Sequence, residues 1–226
     1  MTEILILHGW GSSSAKWEEV KGILVRYGIK VFVPDLPGFG YSQAPSRAWA
    51  VDDYVEWVRE FCEKNNLSQF FLLGHSFGGT VAVKFSLKYP EKIKKLFLVA
   101  PAIIRRKSFQ KETIKKTASF FSFLPSFIKK IIYKLLIRSD YPATFGVMRE
   151  TYLKIIQENL SSYLSEIKVP TIIIWGERDI ITPFSDAHFI KEKIPGSKLK
   201  TFPDVGHSLH KEAPAQLVQN ILQDLQ

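Results

Sequence analysis

Residues 70–83 read FFLLGHSFGGTVAV, and this stretch decides the fold. The apolar run Phe70–Leu73 has the length of a buried strand, and the residues after the glycines have the composition of a helix. Between them, Gly74–Gly78 matches G-x-S-x-G, the pattern of a serine exposed on a sharp turn from strand to helix. An ordinary glycine-rich turn with an incidental serine is the competing interpretation. The stretch predicts a strand–turn–helix unit with Ser76 as the candidate nucleophile.

Similar apolar runs recur along the chain and alternate with helical patterns. The other predicted strands are Ile4–Leu7, Val31–Val33, Leu96–Val99, Thr171–Trp175 and Lys198–Phe202, the last with the alternation of an edge strand. The predicted helices are Val51–Asn65, Phe77–Tyr89, Asp186–Lys193 and Pro214–Leu225. Uninterrupted apolar strands are typical of a parallel sheet that helices cover on both faces. The sequence therefore predicts an α/β fold with a doubly wound, mostly parallel sheet.

The composition favours a single packed domain over a disordered or membrane-spanning chain. A chain of 226 residues with 46% hydrophobic residues has the size and apolar content of a single packed domain. Its single cysteine, Cys62, lies in a helical pattern and is predicted to be a buried structural thiol. No apolar run reaches the length of a membrane-spanning helix, and the first residues do not have the pattern of a signal peptide. We expect a cytoplasmic protein.

The net charge of +9 is concentrated in one segment. Residues 102–165 contain 12 Lys and Arg against four Asp and Glu, while the rest of the chain is nearly balanced. A protein that binds nucleic acid generally would spread its basic residues differently, so no nucleic-acid partner is expected. The segment also lacks a clear strand. We predict that residues 1–101 and 166–226 form one core domain and that residues 102–165 are a helical basic insertion.

A catalytic serine needs a base and an acid that orients the base. In this type of sheet the acid follows a later strand, and the loop after Thr171–Trp175 offers Glu177 and Asp179. We favour Asp179, which lies deeper in its loop. Asp204 stands only three residues before a histidine, and we expect it to shape its own turn through backbone bonds. The predicted acid is Asp179.

Three histidines are candidates for the base. His207 follows the strand Lys198–Phe202 directly, which is the place that the chain order Ser, acid, His requires. His210 begins the final helical region, and we expect it to pack against the core or to lie on the surface. His8 follows the first strand and is expected to be a structural hydrogen-bonding residue. The predicted catalytic residues are thus Ser76, Asp179 and His207.

Acyl transfer also requires two preorganised donors for the oxygen that becomes negatively charged. One is predicted to be the backbone N–H of Phe77, which follows the nucleophile. The other is predicted to be the backbone N–H of Trp10, in the loop His8–Gly11, where glycines allow a close approach of the backbone. This chemistry needs no cofactor and no metal, and none is expected.

The motifs together resemble those of the α/β-hydrolase family. They are HGWG, Trp17, DLPGFG, GHSFGG, WGERD with TP, and GH with HKEAP, and they cover almost everything outside residues 102–165. The resemblance implies the same triad of Ser76, Asp179 and His207, with Trp10 and Phe77 as the oxyanion hole. A serine at the nucleophile position disfavours the dehalogenase and epoxide-hydrolase branches. HGWG and GHSFGG resemble the carboxylesterase branch and its pimeloyl-carrier methyl ester esterases in particular.

The chain departs from the family pattern at its beginning. Family members usually have one or two strands before HGWG, whereas only three residues precede Ile4 here. The resemblance therefore implies an α/β-hydrolase sheet that is shortened at the N-terminus, with Val31–Val33 at or near an edge. Such an edge needs protection against pairing with another chain.

The family places a lid where residues 102–165 fall. Within it, Ser126–Arg138 has apolar residues at helical spacing with lysines on the other side, and Pro125 predicts a corner before this helix. An ordinary amphipathic lid helix is one interpretation. A docking surface for an acidic carrier, such as acyl carrier protein, is the second, and binding to an anionic lipid surface is the third.

The sequence thus predicts a hydrolase for a small-molecule carboxylic ester or thioester with a small to medium apolar acyl group. The reaction is expected to pass through an acyl-enzyme on Ser76. One alternative is a C–C bond hydrolase of the meta-cleavage type, although those relatives usually have Trp directly after the catalytic histidine and Ser208 stands here. A carrier-linked ester is a second alternative. A non-catalytic ligand-binding member of the fold is disfavoured because all three triad residue types are present in order.

Overall fold

A single six-stranded sheet organises the fold. The computed structural model describes residues 2–105 and 146–225. The strands are β1 (Glu3–Leu7), β2 (Lys30–Phe32), β3 (Phe70–His75), β4 (Ile93–Val99), β5 (Thr171–Gly176) and β6 (Lys198–Phe202). They lie in the order β2-β1-β3-β4-β5-β6, and every neighbouring pair is parallel. The predicted α/β fold with a doubly wound sheet is confirmed.

Helices cover the sheet on both faces. Within the described ranges they are α1 (Glu18–Arg26), α2 (Val51–Lys64), α3 (Phe77–Lys88), α4 (Gly146–Ile155), α5 (Ser185–Lys193), α6 (Leu209–Glu212) and α7 (Pro214–Leu222), with short 3₁₀ helices at Ser14–Trp17, Pro90–Lys92 and Ser161–Glu166. Helix α2 packs against α3, and α1 packs against α7. The chain runs in one direction from β1 to β2 and in the other from β2 onward, so right-handed crossovers put α1 on one face and α2 and α3 on the other. Helix α7 lies on the face of α1, which it contacts.

Burial follows the strand order. Every residue of β3 and β5 is buried, in agreement with the continuous apolar runs of these strands. The outer strands β2 and β6 are only partly buried, so both strands predicted for the edges lie there. The thiol of Cys62 is buried on α2, and this burial raises its pKa to about 12. A thiol of this kind is a packing residue rather than a nucleophile.

The reversal of winding creates the crevice in which sites of such sheets form. From β1 the chain winds towards β2, and from β3 it winds the other way through β4, β5 and β6. Leu7 of β1 pairs with Gly74 of β3, so the loops that follow these two strands leave the sheet side by side. Ligands of open α/β sheets bind at this position, outside the carboxyl ends of the strands. HGWG and GHSFGG therefore meet there.

Close packing explains two glycines of the quoted stretch. A Cβ on Gly78 would lie 2.1 Å from the carbonyl oxygen of Leu7, and a Cβ on Gly74 would lie 2.4 Å from that of Gly78. No side chain fits at such distances from backbone atoms. Helix α3 can start directly against β1 and β3 only because both positions are glycine.

The last part of the basic insertion is docked on the core. Thr151 of α4 accepts a hydrogen bond from the Trp49 N–H at 3.0 Å, and Lys154 donates to the Ala48 carbonyl at 3.0 Å. The predicted helix Ser126–Arg138 and the corner at Pro125 lie outside the described residues. Among the helices of residues 2–105 and 146–225, none has the length and apolar character of a membrane span.

Candidate active site

Ser76 occupies a strained turn between β3 and α3. Its φ of 52° and ψ of −116° are unusual for any residue with a side chain, and such a conformation costs about 1–3 kcal/mol. Hydrogen bonds hold it in place: the Ser76 N–H donates to the Val99 carbonyl at 3.1 Å, and its own carbonyl accepts from the N–H groups of Gly79 and Ala102 at 2.9 and 3.0 Å. The side chain is half-buried. This is the turn that the pattern G-x-S-x-G predicted.

Asp179 and His207 form a hydrogen-bonded pair in which Asp179 is buried and His207 is partly exposed. Asp179 lies in the loop after β5, and His207 lies in the loop after β6, on the neighbouring strand. His207 Nδ1 is 2.7 Å from Asp179 Oδ2. The other carboxylate oxygen accepts from the N–H groups of Ile181 and Thr182 at 2.8 and 3.0 Å. The loops thus bring together the acid and the base that the sequence predicted.

The environment keeps the Asp179 carboxylate ionised. Burial by itself would raise the pKa of Asp179, but the hydrogen bonds and charge of His207, together with those from Thr182 and Ile181, outweigh it and the pKa falls below the ordinary value. An ionised carboxylate only accepts hydrogen bonds, so the proton of this contact belongs to His207 Nδ1. In the neutral form of the ring, Nε2 is then the nitrogen without a proton, and it is the atom that can act as a base.

Thr182 is a member of this site that sequence reasoning missed. Its hydroxyl donates to Asp179 Oδ2 at 2.7 Å and lies 3.2 Å from His207 Nδ1. It is also within 3.4 Å of the Ala100 carbonyl, which connects the loop after β5 to the end of β4. The signal for it was its spacing, because an Asp side chain commonly bonds to the backbone two or three residues onward.

The rejected acids lie elsewhere. Glu177 is exposed on the surface of its loop. Asp204 is also exposed and pairs with Arg178 at 2.5 Å, rather than forming the backbone bonds expected of it. Of the three carboxylates considered, Asp179 is the one that contacts His207.

The other two candidate histidines are structural. His210 is buried and stacks on Trp17, with ring centroids 4.4 Å apart and an angle of 5° between the rings. Burial lowers its pKa to about 4, so it packs as a neutral ring. His8 is buried too, accepting from the Leu36 N–H at 3.0 Å and lying 2.9 Å from the Gly9 carbonyl through Nδ1. Both results agree with the expectations for these residues.

The HGWG loop lies directly against the nucleophile. A Cβ on Gly9 would be 3.2 Å from the Ser76 Cβ, so the absence of a side chain at Gly9 lets the two loops touch. Among the residues that the structure describes, the backbone N–H groups of Trp10 and Phe77 have no acceptor. Two unpaired donors beside a serine are what an oxyanion hole requires before substrate binds.

Aromatic side chains surround these donors. The Trp10 ring lies 4.8 Å from Phe39, 5.4 Å from Phe77 and 5.2 Å from Tyr152, measured between centroids. Tyr152 belongs to α4, so the end of the basic insertion contributes to this wall. The wall that Trp10 forms with these rings is aromatic. Within residues 2–105 and 146–225, no group of three or more His, Cys, Asp or Glu side chains is arranged to hold a metal ion.

Comparisons with known proteins agree with this fold. A family model described as alpha/beta hydrolase fold matches residues 3–123. A pimeloyl-[acyl-carrier protein] methyl ester esterase from Nitrosomonas europaea is 26% identical over 239 residues, 96% of this chain and 92% of that protein. A 2-hydroxy-6-oxononadienedioate/2-hydroxy-6-oxononatrienedioate hydrolase from Escherichia coli is 27% identical over 255 residues, 97% of this chain and 86% of that protein. An esterase from Exiguobacterium antarcticum shares the fold, with a TM-score of 0.79 at 22% identity, over 100% of this chain and 92% of that one.

Proposed function

Because this chain belongs to the alpha/beta hydrolase family and is a hydrolase, we propose that it cleaves carboxylic esters or thioesters through an acyl-enzyme on Ser76. The observation that carries the proposal is the hydrogen-bonded pair of Asp179 and His207, 2.7 Å apart, at the same edge of the sheet as a serine in a strained turn. The motifs HGWG and GHSFGG predicted this family from the sequence.

Each residue has one role in the proposed reaction. His207 Nε2 takes the hydroxyl proton as Ser76 Oγ attacks the ester carbonyl, and Asp179 stabilises the imidazolium that forms. The N–H groups of Trp10 and Phe77 donate to the oxygen that becomes negatively charged. His207 then gives the proton to the leaving alcohol or thiol as its bond to the acyl carbon breaks. Water attacks the acyl-enzyme by the same route, with His207 again as the base, and releases the acid.

The surroundings of the donors favour an apolar acyl group. The rings of Phe77 and Tyr152 lie 5.4 and 5.2 Å from that of Trp10, so aromatic side chains surround the proposed oxyanion donors. A small to medium acyl chain gains from contact with such a surface, at about 25 cal/mol per Å² of apolar area buried. We expect a series of p-nitrophenyl esters to show its highest kcat/KM at acyl chains longer than acetyl.

A C–C bond hydrolase is the second candidate, and one relative supports it. The Escherichia coli protein named above is a hydrolase of 2-hydroxy-6-oxononadienedioate, and it covers nearly all of this chain. Ser208 after His207 counts against the assignment, because the resemblance to that branch implies tryptophan there. Turnover of a meta-cleavage product without turnover of p-nitrophenyl esters would favour this candidate.

The proposed substrates include esters that are linked to a carrier protein. The relative from Nitrosomonas europaea is named for a pimeloyl-[acyl-carrier protein] ester, and this chain concentrates its positive charge in residues 102–165. An acidic carrier would be attracted to such a segment over about one Debye length. An anionic lipid surface would be attracted in the same way and is the alternative partner. The cytoplasmic location expected from the sequence stays a prediction.

Replacing the nucleophile tests the proposal. We expect Ser76→Ala to lower kcat for p-nitrophenyl butyrate by at least about 10³-fold, because no other hydroxyl occupies the turn. The protein should keep its fold, since alanine adds no atoms to the turn. Hydrolysis by the variant at the wild-type rate would contradict the assignment of Ser76.

A further inference from the structure

The backbone of His207 is bound on both sides by side chains. The Glu212 carboxylate accepts from the N–H of Gly206 at 2.7 Å and from the N–H of Ser208 at 3.0 Å, the two residues that flank His207. His75 Nε2 lies 2.9 Å from the carbonyl oxygen of His207 itself. A carbonyl oxygen only accepts, so Nε2 carries the proton and donates it to His207.

His75 is held rigidly where it makes this contact. It is the last residue of β3, directly before Ser76, and its ring packs edge-on against Trp17 at 5.8 Å and His210 at 4.9 Å. Burial lowers the pKa of His75 well below its ordinary value, and the neighbouring histidines His207 and His210 lower it further. The ring is therefore neutral, which matters because its centroid is 4.9 Å from that of His207. A charged ring there would oppose formation of the His207 imidazolium.

Glu212 reaches its two donors because of where it lies. Glu212 is the last residue of the short helix α6, which begins two residues after His207. Its side chain therefore reaches back to the loop that contains His207. Gly206 allows the approach, since even a Cβ at that position would come within 3.2 Å of the Glu212 Oε2. A single carboxylate thus binds the backbone N–H groups of both residues that flank His207.

We propose that His75 and Glu212 clamp the His207 backbone and act as positioning residues for the general base. The inference rests on the proposed function. Asp179 fixes the His207 ring through Nδ1, but a ring fixed at one atom still moves with its backbone. The clamp prevents this movement. Its hydrogen bond from His75 also connects the backbone of His207 to the residue that precedes Ser76. A displacement of about 1 Å in such a pair lowers the rate by as much as about 10²-fold.

Substitutions of His75 test one arm of the clamp. Gln places an N–H donor near the position of Nε2, whereas Asn falls short of it and Leu has no donor. We expect His75→Gln to keep kcat for p-nitrophenyl butyrate within about threefold, and His75→Asn and His75→Leu to lower it by about 10-fold to 10²-fold, each with KM nearly unchanged. If His75→Leu does not fold, the pair of Gln and Asn variants carries the comparison.

His210→Leu is the matched control for His75. His210 is another neutral buried histidine in the same cluster of rings, and it has no hydrogen-bond partner within the described part of the chain. We expect His210→Leu to lower the melting temperature without a selective loss of kcat. Equal losses of kcat in His75→Leu and His210→Leu would reduce the role of His75 to packing and overturn this arm of the clamp.

Substitutions of Glu212 test the other arm. Alanine removes both acceptors and glutamine removes one, so we expect kcat to fall in the order wild type, Glu212→Gln, Glu212→Ala, with KM within about twofold. Asp204→Ala removes an exposed carboxylate from the same loop and should leave kcat unchanged. An active wild type whose kcat survives Glu212→Ala would overturn the clamp alone. A wild type that neither hydrolyses the ester nor reacts with a fluorophosphonate would overturn the proposed function instead.

Discussion

At the scale of single residues, the site depends on where protons are held. Asp179 is buried yet ionised because its oxygens accept four hydrogen bonds, from two backbone N–H groups, the Thr182 hydroxyl and His207. Bonds of this kind to a buried carboxylate offset the cost of removing it from water. The ionised Asp179 then assigns the proton of His207 to Nδ1. One depressed pKa therefore sets the tautomer of the proposed base.

Buried neutral histidines give the protein a pH dependence of stability. His210 has a pKa of about 4 in the fold against 6.5 for an ordinary histidine. Between these values the unfolded chain binds more protons than the folded one, so stability rises with pH and falls on acidification. Acidification from neutral pH to pH 4 should lower the free energy of unfolding by about 3 kcal/mol through His210 alone. The pKa of His75 is shifted in the same direction.

Urea unfolding of the wild type and of His210→Leu at several pH values tests this account. The variant should show a smaller loss of unfolding free energy between pH 6.5 and pH 4, whatever its stability at pH 7. Asp179 affects stability at lower pH than the histidines do. Its depressed pKa stabilises the fold at pH values above the ordinary pKa of a carboxylate, and this contribution to the free energy of unfolding is lost as the pH falls through the depressed pKa. Identical slopes in the two proteins between pH 6.5 and pH 4 would contradict the burial of a neutral His210.

At the scale of elements, the contact of α3 with β1 decides whether the site forms. Gly78→Ala would place a Cβ 2.1 Å from the Leu7 carbonyl oxygen, and backbone atoms on both sides cannot yield. We expect this variant to lose about 3 kcal/mol of unfolding free energy or more, together with esterase activity. Chemical denaturation and the rate of ester hydrolysis measure the two effects.

Gly22 provides the matched control for Gly78. It lies inside α1, and a Cβ there would meet nothing within 4 Å. Gly22→Ala should therefore raise stability by about 0.5–1 kcal/mol, because alanine is the better helix former, and leave activity unchanged. A Gly78→Ala variant as stable as Gly22→Ala would show that the close contact of α3 with β1 does not exist in solution.

Some elements were predicted from the sequence almost to the residue. Strand β6 begins and ends as predicted, and the helix predicted for Phe77–Tyr89 is one residue shorter, at Phe77–Lys88. Helix α1 was not predicted, although it carries an apolar stripe, because Gly22 in its middle weakens the helical pattern. Its residues become helical because that stripe packs on β2 and α7, which local sequence does not reveal.

In the candidate site, some residues could be predicted from the sequence, whereas others could be found only in the structure. Ser76, Asp179 and His207 stand in motifs whose order along the chain follows from the sheet, so the sequence was enough to name them. The contacts of Thr182 and His75 with His207 join residues 25 and 132 positions apart. No local pattern encodes such distances. They depend on which strands become neighbours, and the structure was needed to find them.

At the scale of the whole molecule, the positive charge is concentrated in one segment of the sequence. The core carries nearly balanced charges, while residues 102–165 carry most of the net +9. Within the described core many basic residues are paired at the surface, as Lys88 is with Glu56 and Arg59 with Glu63. Such pairs contribute little to stability in water. Pairs of this kind do not account for the excess in residues 102–165, for which an amphipathic lid helix, a docking surface for an acidic carrier and a lipid-binding surface are the three interpretations.

Reversing charges in this segment tests the attraction. Lys129, Lys130 and Lys134 lie outside the described residues, and we propose that they attract an acidic carrier. Their replacement by Glu should lower kcat/KM for a carrier-linked ester by about 10-fold at low salt and leave p-nitrophenyl butyrate hydrolysis nearly unchanged. The difference should shrink as the ionic strength rises, because salt screens exposed charges.

A second triple variant separates local attraction from net charge. Lys64, Lys191 and Lys193 are exposed on α2 and α5, and their replacement by Glu changes the net charge by the same amount. This variant should keep kcat/KM for the carrier-linked ester within about twofold. Equal effects of the two triple variants would contradict docking at the basic segment. Loss of activity on small esters in the first variant would assign its lysines to the pocket or to folding.

Labelling with a fluorophosphonate tests the central claim most directly, because the reagent forms a stable bond only with a serine that is activated by its neighbours. We expect one phosphonyl group per chain, located on Ser76 by mass spectrometry of its peptide, and ester hydrolysis that disappears in proportion to the label. Ser76→Ala should stay unlabelled. A folded wild type that takes up no label, or that keeps its hydrolytic activity when Ser76 is fully labelled, would contradict the account.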